Sequence, residues 1–74
     1  MEAAEAKTIQ ITVNGEPKTV PDGLNVVQLL ASLEIKPDRV AVEMNRSIVR
    51  RPDWEKSLVG QGAEIEIVWF VGGG

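Results

Sequence analysis

From Thr8 to Val13 the apolar residues Ile9, Ile11 and Val13 alternate with Thr8, Gln10 and Thr12, the period of two that gives a strand one buried face. Asn14-Gly15 follows, the pair that most readily supplies the two positive φ angles of a type I′ turn, so Glu16 to Val20 is predicted to return antiparallel. Pro17 cannot donate to a ladder and marks that returning strand as an edge. After the Pro21-Asp22-Gly23 turn the period changes to that of a helix. Val26, Leu29, Leu30 and Leu33 fall on one helical face, with Gln28, Ser32 and Glu34 on the other. Asn25 is placed as the N-cap, with Gln28 completing a capping box and Leu24 and Leu29 spaced as a hydrophobic staple. Pro37 is read as the helix stop.

Beyond it the period of two returns. Val40, Val42 and Met44 alternate with Ala41 and Glu43, and Asn45-Arg46 turns the chain into a short fourth strand around Ile48 and Val49. Arg51-Pro52-Asp53-Trp54 is predicted to open one turn of helix with proline at its first position. Gly60 and Gly62 mark a loop before the last strand. Two hairpins cannot bury their apolar faces alone, whereas one helix laid across a mixed sheet covers both. With the last strand parallel to the first, the crossover takes its preferred right hand. The predicted architecture is α+β: a β-grasp, ubiquitin-like mixed sheet of four to five strands covered by one main helix, spanning residues 8–71.

The last ten residues carry the candidate chemistry. Ile65 to Val71, rich in Val, Ile, Trp and Phe, is expected to form a largely buried strand, and it leads into Gly72-Gly73-Gly74. Glycine usage averages about 7%, so three in succession are unexpected from composition and read as a functional tail, thin enough to enter a narrow channel in a partner. At its tip is the α-carboxylate of Gly74. If Ile65 and Ile67 point inward, Glu66, Val68 and Phe70 face away from the helix, which leaves two apolar side chains in water as a partner patch. The competing reading has the loop around Trp54 cover them. Trp54 itself is read as a core plug, and Arg46, Arg50 and Arg51 as a solvated hairpin edge ahead of a docking role.

Composition narrows the chemistry further. The 74 residues hold one domain at most, and they include no cysteine and no histidine. Disulfide frameworks, thiolate nucleophiles and imidazole bases are therefore excluded, and no metal site is expected. A net charge of −3 disfavours nucleic acid or an anionic membrane as partner. Met1 to Lys7 is polar and alanine-rich and is expected to be a mobile leader. Without an apolar signal core or a membrane-length segment, the expected location is the cytoplasm.

Val40-Ala41-Val42-Glu43-Met44-Asn45, Ile48-Val49, Arg51, Trp54, Gly62, Ile65-Glu66-Ile67-Val68 and Val71-Gly72-Gly73-Gly74 resemble, in order and spacing, the ubiquitin-like sulfur-carrier proteins of the ThiS type. The resemblance runs from about Ile9 to Gly74. Two positions depart from it: Arg50, where the family often has proline, and Ala63, where it often has aspartate; both are expected in loops away from the tail. The resemblance implies a carrier that is not itself an enzyme. A partner adenylating enzyme, using ATP and magnesium, would activate Gly74, a sulfur-donor protein would convert it to a thiocarboxylate, and thiazole synthase would receive the sulfur. The carrier would bind no cofactor and would be a monomer when free, with Gly72, Gly73, Phe70, Val68 and Glu66 meeting its partners. The small subunit of molybdopterin synthase, a ubiquitin-like protein modifier and a plain interaction module remain alternatives. Trp69-Phe70-Val71 stands where the molybdopterin branch tends to have prolines, which favours the thiamine branch.

Overall fold

Both hairpins expected from the turn residues are present. The computed structural model describes residues 7–71, and comprises β1 (Thr8–Val13), β2 (Glu16–Pro21), α1 (Val26–Ser32), β3 (Val40–Met44), β4 (Ser47–Val49) and β5 (Glu64–Trp69). The expected leader and the glycine tail lie outside the described residues, apart from Lys7. Its carbonyl accepts a 2.9 Å hydrogen bond from the Asp22 N–H. The five strands form one sheet in the order β2-β1-β5-β3-β4, with β5 parallel to β1 and the other neighbours antiparallel. This is the predicted β-grasp arrangement, with β2 at the edge where Pro17 placed it.

The core lies between this sheet and α1. Ile9, Ile11 and Val13 from β1, Val40 and Val42 from β3, and Ile65 and Ile67 from β5 meet Val26, Leu29 and Leu30 of the helix. Trp54 closes one end, 4% exposed, with its indole N–H donating to the Val49 carbonyl at 2.8 Å. That bond satisfies the ring's one polar group on burial, so Trp54 is the core plug expected of it. It sits in a 3-10 turn, Arg51–Lys56, with Pro52 in the first turn.

The helix begins as predicted and ends earlier. Asn25 Oδ1 accepts from the Gln28 N–H at 2.8 Å while Gln28 Oε1 accepts from the Asn25 N–H at 2.9 Å, a reciprocal capping box. Pro37 is not the stop. Leu33 caps α1 and Glu34 enters the left-handed region at φ 60°. The Glu34 N–H bonds the Ala31 carbonyl and the Ile35 N–H bonds that of Leu30, the two bonds of a Schellman motif built on glutamate instead of glycine. The reversal lets Leu33 and Ile35 pack against the core, and Pro37 opens a separate 3-10 turn, Pro37–Arg39.

Two asparagines fasten β5. Asn14 and Asn45 each occupy the left-handed region, at φ 52° and 54°, in the turns after β1 and β3. Asn45 binds the start of β5: its N–H donates to the Glu64 carbonyl at 2.8 Å and its Oδ1 accepts from the Glu64 N–H at 2.9 Å. Asn14 binds further along, its N–H donating to the Ile65 carbonyl at 2.8 Å and its Oδ1 accepting from the Ile67 N–H at 2.7 Å. Asparagine tolerates positive φ and carries a spare acceptor, so one residue type makes both the turn and the clamp.

Candidate functional site

Beyond Ile67 the last strand leaves the body of the protein. β1 pairs with β5 only through Thr12 opposite Glu64 and Val13 opposite Ile65, and then turns away at Asn14. β3 continues alongside, with Ala41 opposite Val68 and Val40 opposite Trp69, and the Arg39 carbonyl accepts from the Phe70 N–H at 2.8 Å. Val68, Trp69 and Phe70 are therefore held along one side only. They are 53%, 51% and 57% exposed, and Val71 is 97% exposed. The expectation of a largely buried final strand holds only as far as Ile67. Trp69, which the alternation assigns to the same face as Ile65 and Ile67, is half in water because β1 no longer flanks it.

The predicted orientation of Glu66, Val68 and Phe70 agrees with this exposure. Register and burial put Ala41, Glu43, Ile48, Glu66 and Val68 on the sheet face opposite the helix, since their neighbours Val42, Ile65 and Ile67 are buried on the other. The loop around Trp54 does not cover Val68 or Phe70. Instead it forms the far wall of an open hollow of about 310 Å³ whose lining includes Ala41, Ile48, Arg50, Arg51, Trp54 and Phe70. An exposed apolar surface continuous with the strand that leads to the tail suits contact with a partner.

Of the lining residues, Phe70 alone was among the predicted site. Ile48 is 70% exposed and extends the patch across β4. Its signal is present in the sequence: in a three-residue strand with Val49 turned inward, Ile48 must turn outward. The basic cluster divides. Arg46 lies 3.8 Å from Glu64 in an exposed ion pair, as a solvated hairpin edge would, whereas Arg50 and Arg51 come to the rim of the hollow beside Phe70. Arg51 is committed within the protein, donating to the Pro37 carbonyl and lying 5.0 Å from the Trp54 ring centroid. Arg50 is thus near the strand that leads to the tail, not remote from it. Ala63 lies in the loop just before β5, as expected, but is buried there: it is 4% exposed, and its carbonyl accepts from the Thr12 N–H at 3.0 Å.

Gly72, Gly73 and Gly74 lie outside the described residues. Among the described residues no group of Asp and Glu is arranged to hold a metal ion, and no helix is long and apolar enough to cross a membrane. Among the described residues the candidate site is thus an exposed surface and a strand end. Residues 6–74 match the sequence profile of the ThiS family. The chain belongs to the ThiS family.

Solved structures agree with that membership. A crystal structure of the thiamine biosynthesis protein ThiS from Geobacter metallireducens is 36% identical, with a TM-score of 0.80, over 89% of this chain and all of that one. A thiazole synthase of Magnetococcus marinus is 36% identical over 66 residues, which make 89% of this chain and 20% of the relative. The uncharacterized protein ycf40 of Porphyra purpurea is 31% identical over 92% of this chain and 96% of its own length. The chain thus spans about a fifth of the thiazole synthases it matches, and nearly the whole of the ycf40 protein.

Proposed function

We propose that this ThiS-family chain is a sulfur carrier of thiamine biosynthesis, with the Gly74 α-carboxylate as its working group. A carboxylate resists substitution because its charge is shared by two oxygens, so it must first be activated. In the proposed sequence a Gly74 oxygen attacks the α-phosphorus of ATP, held with magnesium by a partner enzyme, and pyrophosphate leaves. The terminal sulfur of a donor-protein persulfide then attacks the acyl carbon, and AMP departs with the electrons of the C–O bond. A thiol cleaves the resulting acyl disulfide, supplying the two electrons and ending in a disulfide with the donor's sulfur. The thiocarboxylate so formed is a soft nucleophile suited to donating sulfur to thiazole synthase.

The observation that carries this reading is the family match through residues 6–74 on a chain whose last strand stands exposed before three glycines. The exposed patch of Val68, Phe70 and Ile48 would dock the partners, and Gly72 and Gly73 would pass into the adenylating site. Two relatives named thiazole synthase contain a stretch similar to this chain, which supports a thiazole synthase as the receiving partner. The absence of histidine and cysteine assigns side-chain catalysis to the partners. The test is AMP transfer to a chain lengthened by one residue after Gly74 or shortened by removing it. Transfer should vanish in both while the circular dichroism spectrum and melting temperature are unchanged; transfer to the lengthened chain at the normal rate would refute the carboxylate reading.

A further inference from the structure

The hollow beside Phe70 is not electrically neutral, and its polarity runs along the sheet. At one end Arg50 and Arg51 stand on the rim with Asp38 as the one carboxylate among its lining residues. Among the described residues Arg50 forms no side-chain hydrogen bond and no ion pair, while Arg51 is already engaged by the Pro37 carbonyl and the Trp54 ring. At the other end of the same sheet face Glu43 and Glu66 stand directly opposite one another, next to Ile48 and Val68. Like charges so placed weaken a sheet. The apolar surface of Ala41, Ile48, Val68 and Phe70 is thus bordered by Arg50 on the side of Phe70 and by the Glu43–Glu66 pair, directly across from Ile48, on the other, in a protein of net charge −3.

We propose that the hollow receives an apolar side chain of the adenylating enzyme that is flanked by a carboxylate, and that Arg50 pairs with that carboxylate. This rests on the sulfur-carrier reading above and adds to it the chemistry of the partner segment and its direction. The apolar side chain enters between Ile48 and Phe70. Its acidic neighbour is favoured at the Arg50 end, where two guanidiniums outnumber the Asp38 carboxylate, over the end where Glu43 faces Glu66. With Arg51 held in place, Arg50 is the guanidinium left to respond to a partner, and a free planar fork suits a carboxylate. Such a contact lies at the rim of an interface, where charge acts chiefly on encounter and on the direction of docking.

The test measures AMP transfer from ATP to the full chain by the adenylating enzyme purified from the same cells. KM for the chain is determined at low and high salt for wild type, Arg50→Glu, Arg50→Lys and Lys18→Glu. Lys18→Glu makes the same change in net charge on β2, on the far edge of the sheet. Arg50→Glu should raise KM about tenfold at low salt with kcat unchanged, and the gap should narrow as salt screens the pair. Arg50→Lys should stay within about threefold of wild type, and Lys18→Glu should match wild type. Equal KM for Arg50→Glu and Lys18→Glu would overturn the docking proposal and leave the carrier reading intact. No AMP transfer to the wild-type chain would overturn both.

Discussion

Asn14 Oδ1 accepts a 2.7 Å hydrogen bond from the backbone N–H of Ile67, at the point where β1 ends and β5 goes on without it. Inward of this bond the last strand is part of the core. Outward of it Val68, Trp69 and Phe70 are more than half exposed. The bond satisfies an N–H that would otherwise face the end of a strand, so one asparagine marks the boundary between the folded body and the segment available to partners.

Replacing Asn14 should therefore cost more than a turn residue usually does. Asn14→Ala removes the acceptor for Ile67 and puts a Cβ without a compensating polar group at φ 52°. Urea unfolding should show a loss of about 2 kcal/mol, the sum of a lost hydrogen bond and left-handed strain. Asn14→Gly keeps the turn and loses only the bond, and it should retain about half of that difference.

Two other positions should respond in the opposite direction. Glu34 and Arg46 occupy the left-handed region at φ 60° and 71°, where glycine carries no Cβ penalty. Strain relief of about 1–2 kcal/mol is partly offset by the greater freedom of glycine in the unfolded chain, about 0.4–1 kcal/mol. Glu34→Gly and Arg46→Gly should each raise the melting temperature by a few degrees. A fall in either would mean that the exposed side chain contributes more than its surface position suggests.

Much of this was legible in the sequence because local signals and the global fold agree. Asn14-Gly15 fixed one hairpin, Asn25 with Gln28 fixed the helix start, and the alternation of Ile9, Ile11 and Val13 fixed the buried face of β1. The helix end was misplaced because Glu34 adopts a conformation that the sequence advertises only through glycine or asparagine. The exposure of Trp69 was hidden for another reason. Period assigns a face, but whether a neighbouring strand still flanks that face depends on where β1 turns away in space. Arg50 stands between β4 and the 3-10 turn that carries Trp54, and its nearness to Phe70 depends on how the strands lie side by side, which no local pattern encodes.

The two faces of β5 give a paired test. Ile67 is 3% exposed, and Ile67→Glu should unfold the domain, since burying an unpaired charge costs several kcal/mol. Phe70→Glu, at a site 57% exposed, should change folding stability by no more than about 0.5 kcal/mol. Its affinity for the adenylating enzyme should nevertheless fall by about 2 kcal/mol, as for an aromatic anchor at an interface. Melting curves and titration calorimetry on the same two proteins separate these outcomes.

Gly73→Ala probes the proposed passage of the tail into the partner. One added methyl group and a narrower φ range matter little in solution but obstruct a channel shaped to bare backbone. AMP transfer should fall by an order of magnitude or more, on the order of 1.4 kcal/mol in transition-state binding, with thermal stability unchanged. Normal transfer to the alanine variant would show that the partner does not enclose the backbone at Gly73.

The central claim is that sulfur is carried at Gly74, and intact mass spectrometry of the protein isolated from its own cells tests it most directly. The spectrum should contain a species heavier than the unmodified chain by the difference between one sulfur and one oxygen atom, and fragmentation should place that difference on Gly74. Thiol-reactive alkylation should label the same species, although the chain has no cysteine. A chain found only as the plain carboxylate in cells actively making thiamine, or joined through Gly74 to other proteins, would contradict the account.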